Sequence, residues 1–280
     1  GCAYILTVDV GNTFIRFGLF AEDSAAAQEC PLATCEITTP SSITADEVRM
    51  RLVQVMAALA ADAGMPGALV PAAAVLSCVV PALERPWKVA LSRTCTGRVL
   101  TVGPGLKTGM PVHYDDPAEI GPDRIADAVA ARAVYGSPCI VIDLGTTTNI
   151  EVIDARGTFV GGVIAPGLAL GARSLSAAAA RLPQVEPSAP THVIGRNTRE
   201  AMRSGVVLGE VARIDGMLDM VLAEMRATKA AGEGSVPIVI TGDDAEALAA
   251  LVGHSLTVDD ALTLRGLAEL YHINQKPRRA

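Results

Sequence analysis

Residues 8–20 read VDVGNTFIRFGLF, and residues 142–154 read IDLGTTTNIEVID. Each stretch runs an apolar, strand-like segment into an aspartate, a glycine and a small polar pair, then resumes with a second strand-like segment. Aligned, Asp9 falls on Asp143, Gly11 on Gly145, and Asn12–Thr13 on Thr146–Thr147, an offset of 134 residues in a chain of 280. A turn written twice at half-chain separation marks an internal duplication, and a duplication implies two copies of one architecture.

Working outward, YILTVDV and FIRFGLF flank the first turn as two strands. TADEVRMRLVQVMAALAADAG has helical periodicity, with Thr44 as N-cap, Glu47 three residues on, and Gly64 as the stop. AAAVLSCVV is a buried strand ended by Pro81, and a helix through Trp87 and Leu91 follows. RVLTVG is another strand, and a Gly- and Pro-rich connector reaches residue 121. The pattern then restarts. GPDRIADAVAARAVYG is a helix with Pro122 in its first turn. Residues 138–167 hold three strands with turns at Gly145–Thr146 and Arg156–Gly157, and helical segments follow at 168–181 and 198–228. VPIVITG is a strand leading into a helix, and ALTLRGLAELYHI is a final helix. Strands alternate with helices in each half, so the expected class is α/β with mixed sheets. The boundary is placed between residues 119 and 120, giving domains 1–119 and 120–280, with the final helix able to pack back onto the first. The short basic end, KPRRA, is expected to fray.

Composition excludes several functions. Aromatic residues are only 3% of the chain, too few for base-stacking platforms. A net charge of −7 disfavours a large phosphate-backbone footprint, so no nucleic-acid partner is expected. Six cysteines (Cys2, Cys30, Cys35, Cys78, Cys95, Cys139) are scattered without C-x-x-C or zinc spacing, which suits reduced thiols and a cytoplasmic location. Ala3–Val10 is too short to span a bilayer, and no stretch has the layout of an export signal, so no membrane partner is expected. The four histidines do not cluster, His113 and Trp87 carry no assigned role, and neither Ser/His/Asp nor Cys/His catalysis has support.

The repeated turn has a direct chemical use. Glycine lets backbone N–H groups approach a phosphate closely, the Asn and Thr side chains add donors, and a strand-end aspartate can hold a cation or its water shell. Two such turns, one from each related domain, would face each other across a nucleotide cleft and grip a triphosphate. The commoner phosphate devices are absent: GLKTG at 105–109 lacks the P-loop order, and GPGLKTG at 103–109 misses the dinucleotide spacing and opens no helix. GGVIAPG at 161–167 would allow backbone approach to a flat ligand such as adenine; ordinary turn chemistry explains it equally well.

Taken in order, DVGNT, GPGLKTG, YDDPAEIGPDRIADAVAA, DLGTTT, GGVIAPG, IGRNTREAMRSGVVLG and LTLRGLAELY resemble type III pantothenate kinase, and the paired loops resemble the actin, sugar-kinase and heat-shock ATPase superfamily. The resemblance implies a duplicated ribonuclease H-like, actin-like ATPase fold and a kinase phosphorylating pantothenate with ATP and Mg2+ at the start of coenzyme A synthesis. It implies that Asp9, Val10, Gly11, Asn12, Thr13, Phe14, Ile15 and Arg16 form the first ATP phosphate loop and that Thr146 contacts ATP. It further implies a monovalent cation, K+ or NH4+, at Asp143. Tyr114, Gly121, Pro122, Asp123 and Arg124 would line the pantothenate pocket, with Asp123 as proton acceptor. In a homodimer whose interface lies in the second domain, Thr198 would reach the neighbouring subunit's pantothenate.

Some positions depart from the family pattern. Pro122 replaces an alanine, Asp127 an asparagine, Asn149 and Glu151 a threonine and an aspartate, and TGDDA at 241–245 lacks a second glycine. The departures at Asn149, Glu151 and Asp243 motivate an alternative, a catalytically weakened ATP-binding regulator on the same fold; a third reading is another small-molecule kinase. Independently of family, phosphoryl transfer to an alcohol needs positioned charge and a nearby acceptor for the hydroxyl proton, which an ionised aspartate provides. An acid in the first turn of a helix, like Asp123, is also favoured simply by the helix dipole.

Overall fold

The structure is a computed structural model that describes residues 3–24 and 26–275. Cys2 and the basic end at 276–280 lie outside the described residues. In chain order the elements are β1 (Tyr4–Val10), β2 (Phe14–Ala21), β3 (Ala33–Thr38), α1 (Ala45–Asp62), β4 (Ala73–Cys78), α2 (Pro81–Thr94), β5 (Val99–Thr101) and α3 (Pro122–Tyr135). They continue with β6 (Cys139–Leu144), β7 (Thr147–Ile153), β8 (Phe159–Pro166), α4 (Leu168–Ala178), α5 (Thr198–Arg203), α6 (Gly209–Ala227), β9 (Ile238–Gly242), α7 (Ala245–Ala249), β10 (Thr257–Val258) and α8 (Leu262–Ile273).

The duplication is visible strand by strand. One sheet has the order β3-β2-β1-β4-β5 and the other β8-β7-β6-β9-β10, so each is an antiparallel meander of three strands extended by two parallel ones. Asp9 and Asp143 hold the same place, the next-to-last residue of the first strand in each sheet. Fold class and mixed sheets agree with the sequence reading.

The chain packs as two compact units, one that runs to Val134 and resumes at Ala261, and another spanning Tyr135–Asp260. The expected boundary at 119/120 therefore differs from the one that packing draws, because α3 goes with the first unit. There Thr263 Oγ1 of α8 donates to Asp127 Oδ1 of α3 at 2.6 Å. Gly266 of α8 packs so tightly against α3 that a Cβ would stand 1.9 Å from the Ala126 carbonyl oxygen. The final helix thus belongs to the first unit, with α3.

In the first unit, alternate residues of β1 point to opposite faces. Leu6, Val8 and Val10 join Leu52, Leu59, Trp87 and Leu91 in the core beneath α1 and α2. Phe17 and Trp87 meet at 5.7 Å between ring centroids, tilted by 48°, an arrangement aromatic pairs favour. Asp9 lies on the other face of β1, which α8 covers. The start of α1 is the capping box read from sequence: Thr44 accepts from the Glu47 N–H, and the Glu47 carboxylate accepts from the Thr44 N–H. Such a cap contributes about 1 kcal/mol.

In the second unit, Ile140, Ile142 and Leu144 of β6 pack with Ile214, Leu218 and Leu248. The helical region expected at 198–228 is α5, a π-helical turn at Ser204–Leu208, and α6. The expected helix at 168–181 closes at Ala178. Among the described residues, no helix is long and apolar enough to cross a membrane.

Candidate active site

The first turn is closed by the Gly11 N–H donating to the Phe14 carbonyl at 2.9 Å. Thr39, just past β3, braces it, with its hydroxyl donating to the Gly11 carbonyl at 2.7 Å and its N–H to the Thr13 carbonyl at 2.9 Å. Asn12 and Thr13 are exposed at the tip. Val10 and Ile15 are fully buried in the core, so only their backbone can meet a ligand. Phe14 is half-buried, and Arg16 pairs with Glu36 of β3 at 2.8 Å.

Behind the turn, Ser77 of β4 lies beside Asp9 in the parallel register and donates its hydroxyl to Asp9 Oδ1 at 2.9 Å. Sequence reasoning does not single out Ser77, although a hydroxyl at the end of the apolar strand AAAVLSCVV is the available signal. Burial, then the negative charge of Asp123, push the Asp9 carboxyl up to about 7, against the Ser77 hydrogen bond and the Arg16 charge. Burial also raises Asp123, opposed by the Arg124 N–H and the Arg124 charge. The structure thus brings Asp9 and Asp123 into electrostatic range within one unit. A half-buried carboxylate with a second one in electrostatic range favours a cation among its neighbours.

Asp123 is in the first turn of α3. Its Oδ1 accepts from the Arg124 N–H at 2.9 Å, which orients the carboxylate. The carboxylate folds back over Gly121, where a Cβ would stand 2.6 Å from Oδ1. Gly121 also starts the helix, its carbonyl accepting from the Ile125 N–H. Arg124 is buried, not the solvated arginine that is the usual state of this side chain. Tyr114 is half-buried in the connector leading to this turn. On the same turn, Pro122 and Ile125 line a cavity of about 410 Å³, walled on the far side by Gly103–Leu106 and Thr108. It is concave, largely apolar and of ligand size.

In the second unit, Gly145 N–H donates to the Thr147 carbonyl at 3.0 Å. Gly167, ending GGVIAPG, donates its N–H to the Thr146 carbonyl at 3.0 Å, so this glycine element does join the second turn. Register places Asn149 of β7 and Thr241 of β9 on either side of Asp143, three oxygen-bearing side chains in one row. Thr148 donates to buried Glu210 Oε1 at 2.5 Å; Glu210 pairs with Arg213, which also donates to the Pro166 carbonyl. Sequence reasoning misses Glu210 because an acid in an amphipathic helix reads as surface. Of the departures, Asp127 and Glu151 are fully buried, and Asp243, in place of the second glycine, donates its N–H to the Leu144 carbonyl at 2.7 Å. Thr198 is exposed at the first position of α5, beside the Asn197 cap.

Among the described residues no cluster of three or more His, Cys, Asp or Glu could hold a metal by itself. Mg2+ is usually held by one or two carboxylates together with phosphate oxygens and water, and Asp9, whose carboxyl is raised by burial and by the negative charge of Asp123, would suit such a partner.

Two copies of one five-stranded order, each with an aspartate and a glycine turn at the end of its first strand, define a duplicated actin-like ATPase fold. A conserved protein from Campylobacter jejuni described as a Baf family transcriptional activator shares the fold, with TM-score 0.58 at 18% identity over 96% of this chain and 98% of that one. Within that class the chain belongs to the type III pantothenate kinase family, whose profile matches residues 5–220. Type III pantothenate kinase from Koribacter versatilis is 37% identical over 279 residues, covering 98% of this chain and 97% of that protein. Type III pantothenate kinase 2 from Symbiobacterium thermophilum is 39% identical over 274 residues, covering 97% of each.

Proposed function

We propose that this chain is a kinase that transfers the γ-phosphoryl group of ATP to the primary hydroxyl of pantothenate, the opening step of coenzyme A biosynthesis. Family membership across nearly the whole chain supports this reading. The observation that carries its chemistry is the raised, oriented carboxylate of Asp123 on the helix turn whose Pro122 and Ile125 line a ligand-sized cavity, though Asp123 itself is not among the lining residues.

The hydroxyl oxygen attacks the γ-phosphorus, the bond to the β–γ bridging oxygen breaks, ADP leaves, and Asp123 takes the hydroxyl proton. A carboxylate raised by burial is a stronger base than one in water, which suits that transfer. The Arg124 N–H fixes one carboxylate oxygen so that the other faces the nucleophile. The turn from Asp9 to Arg16 and the turn at Thr146 hold phosphate oxygens through backbone and hydroxyl donors. Mg2+ bound with ATP supplies charge neutralisation at the phosphates. Asp143, flanked by Asn149 and Thr241, is the site for K+ or NH4+. Tyr114, Gly121, Pro122 and Arg124 bind pantothenate. Thr198 completes the partner's site in a homodimer, a role supported by its exposure next to Val193 and Ile194, which are 72% and 84% exposed.

The test is ADP release with and without pantothenate, with the product identified by mass. Pantothenate-dependent release is expected. ATP binding without any pantothenate-dependent release would instead favour the weakened-regulator reading, and release stimulated only by another alcohol would move the substrate assignment.

A further inference from the structure

One wall of the cavity that Pro122 and Ile125 line is formed by Gly103–Leu106 and Thr108, part of a glycine-rich loop, Gly103–Gly109, with no regular secondary structure of its own. Such a segment keeps a shape only if its backbone groups are tied down. Its ends are tied by the surrounding framework. The preceding residue, Val102, donates its N–H to the Leu76 carbonyl of β4 at 2.9 Å, and the Arg132 guanidinium of α3 donates to the Gly109 carbonyl.

The middle is tied by one side chain from far along the sequence. Asn274, at the C-cap of α8, accepts the Lys107 N–H on Oδ1 at 3.1 Å and donates from Nδ2 to the Lys107 carbonyl at 2.7 Å. The same Nδ2 donates to the Leu270 carbonyl at 2.8 Å, and Arg98 donates to the Asn274 carbonyl at 2.9 Å. The amide thus meets both polar groups of one loop residue, as a neighbouring strand would. An asparagine can do this because it carries a donor and an acceptor on one plane, which no carboxylate or hydroxyl of that length offers in fixed geometry. Helix α8 is itself locked to α3, the carrier of Asp123, through Thr263–Asp127 and the close contact at Gly266.

We propose that Asn274 is a positioning residue for the phosphoryl acceptor, holding the Gly103–Gly109 wall at a fixed distance from the first turn of α3. The proposal rests on the reading that pantothenate binds at that turn. Asn274 touches neither the cavity nor the reacting atoms, so its effect falls on the population of the binding-competent loop. When only a fraction of molecules has the competent loop, apparent affinity drops by that fraction. Losing two hydrogen bonds of ordinary strength reduces that population by roughly 5- to 100-fold.

The experiment compares wild type, Asn274→Ala and Asn274→Asp by steady-state kinetics in each substrate and by hydrogen exchange over residues 103–109. Asn274→Ala should raise the KM for pantothenate about tenfold, with kcat within twofold, the KM for ATP unchanged, and exchange at the Lys107 amide accelerated. Asn274→Asp keeps the acceptor for the Lys107 N–H but sets a carboxylate oxygen against the Lys107 and Leu270 carbonyls, so both readouts should move at least as far as in the Ala variant. Should the Ala variant fail to fold, the Asp variant carries the same comparison. A KM for pantothenate within twofold of wild type overturns the proposal, as does equal weakening of both substrates or unaltered exchange at Lys107. If wild type shows no pantothenate turnover, the functional reading fails, and the exchange arm alone then judges the clamp.

Discussion

Ser77 Oγ donates to Asp9 Oδ1 across the parallel pair β1–β4, at 2.9 Å. This hydroxyl is the hydrogen bond that steadies a carboxylate under pressure from two sides: burial, and the charge of Asp123. Since the folded-state value of about 7 exceeds the unfolded value of 3.8, the folded protein holds a proton that the unfolded chain releases in between. The stability contributed by Asp9 is fully present below the unfolded value and is lost as pH rises through about 7. At 1.36 kcal/mol per unit the loss is on the order of 4 kcal/mol at most. Asp9→Asn keeps an acceptor for Ser77 and removes the titration. Urea unfolding without ligands should show the variant gaining on wild type between pH 4 and 8; parallel pH profiles would refute the assignment.

Asp123→Asn tests the proton acceptor. The amide keeps the size of the side chain and an oxygen for the Arg124 N–H, but it cannot take a proton. A positioned general base contributes ~10²–10⁴-fold, so kcat should fall by that order while ATP affinity holds. If Asp123 only favours the helix dipole, the change costs about 0.3–1 kcal/mol of stability and leaves the rate intact. Turnover measured beside the thermal midpoint separates the two, and wild-type kcat would end the general-base role.

Gly121→Ala addresses the aim of that carboxylate. The new methyl would stand 2.6 Å from Asp123 Oδ1, so the carboxylate must rotate away. The expected result is a kcat at least tenfold lower with ATP affinity unchanged, since an ångström of misplacement in a reacting group is costly. An Ala variant as fast as wild type would mean that this orientation does not limit the reaction.

The row Thr241–Asp143–Asn149 gives a cation prediction. Wild-type turnover should fall several-fold when potassium is replaced by sodium, because the smaller ion holds its water more tightly. Asp143→Asn should be slow in both salts. Equal wild-type rates in potassium and sodium would remove the monovalent cation from the site.

Much of this protein is legible in the linear sequence because its decisive features are local. The aspartate-glycine turn, the apolar runs of β1 and β6, and the capping box at Thr44 depend on neighbouring residues, so they survive reading without coordinates. The repeat at half-chain separation then implies two sheets of one design. What the line of residues cannot contain are relationships set by packing between distant segments. Ser77 meets Asp9 only because β4 lies parallel to β1. Glu210 reads as surface until α6 covers β7 and buries it against Thr148. The boundary expected after residue 119 moves because α3 is claimed by α8, more than a hundred residues away, through Thr263 and Gly266. The raised carboxylates of Asp9 and Asp123 likewise belong to the tertiary structure, since desolvation and charge repulsion act through space and leave no mark on sequence spacing.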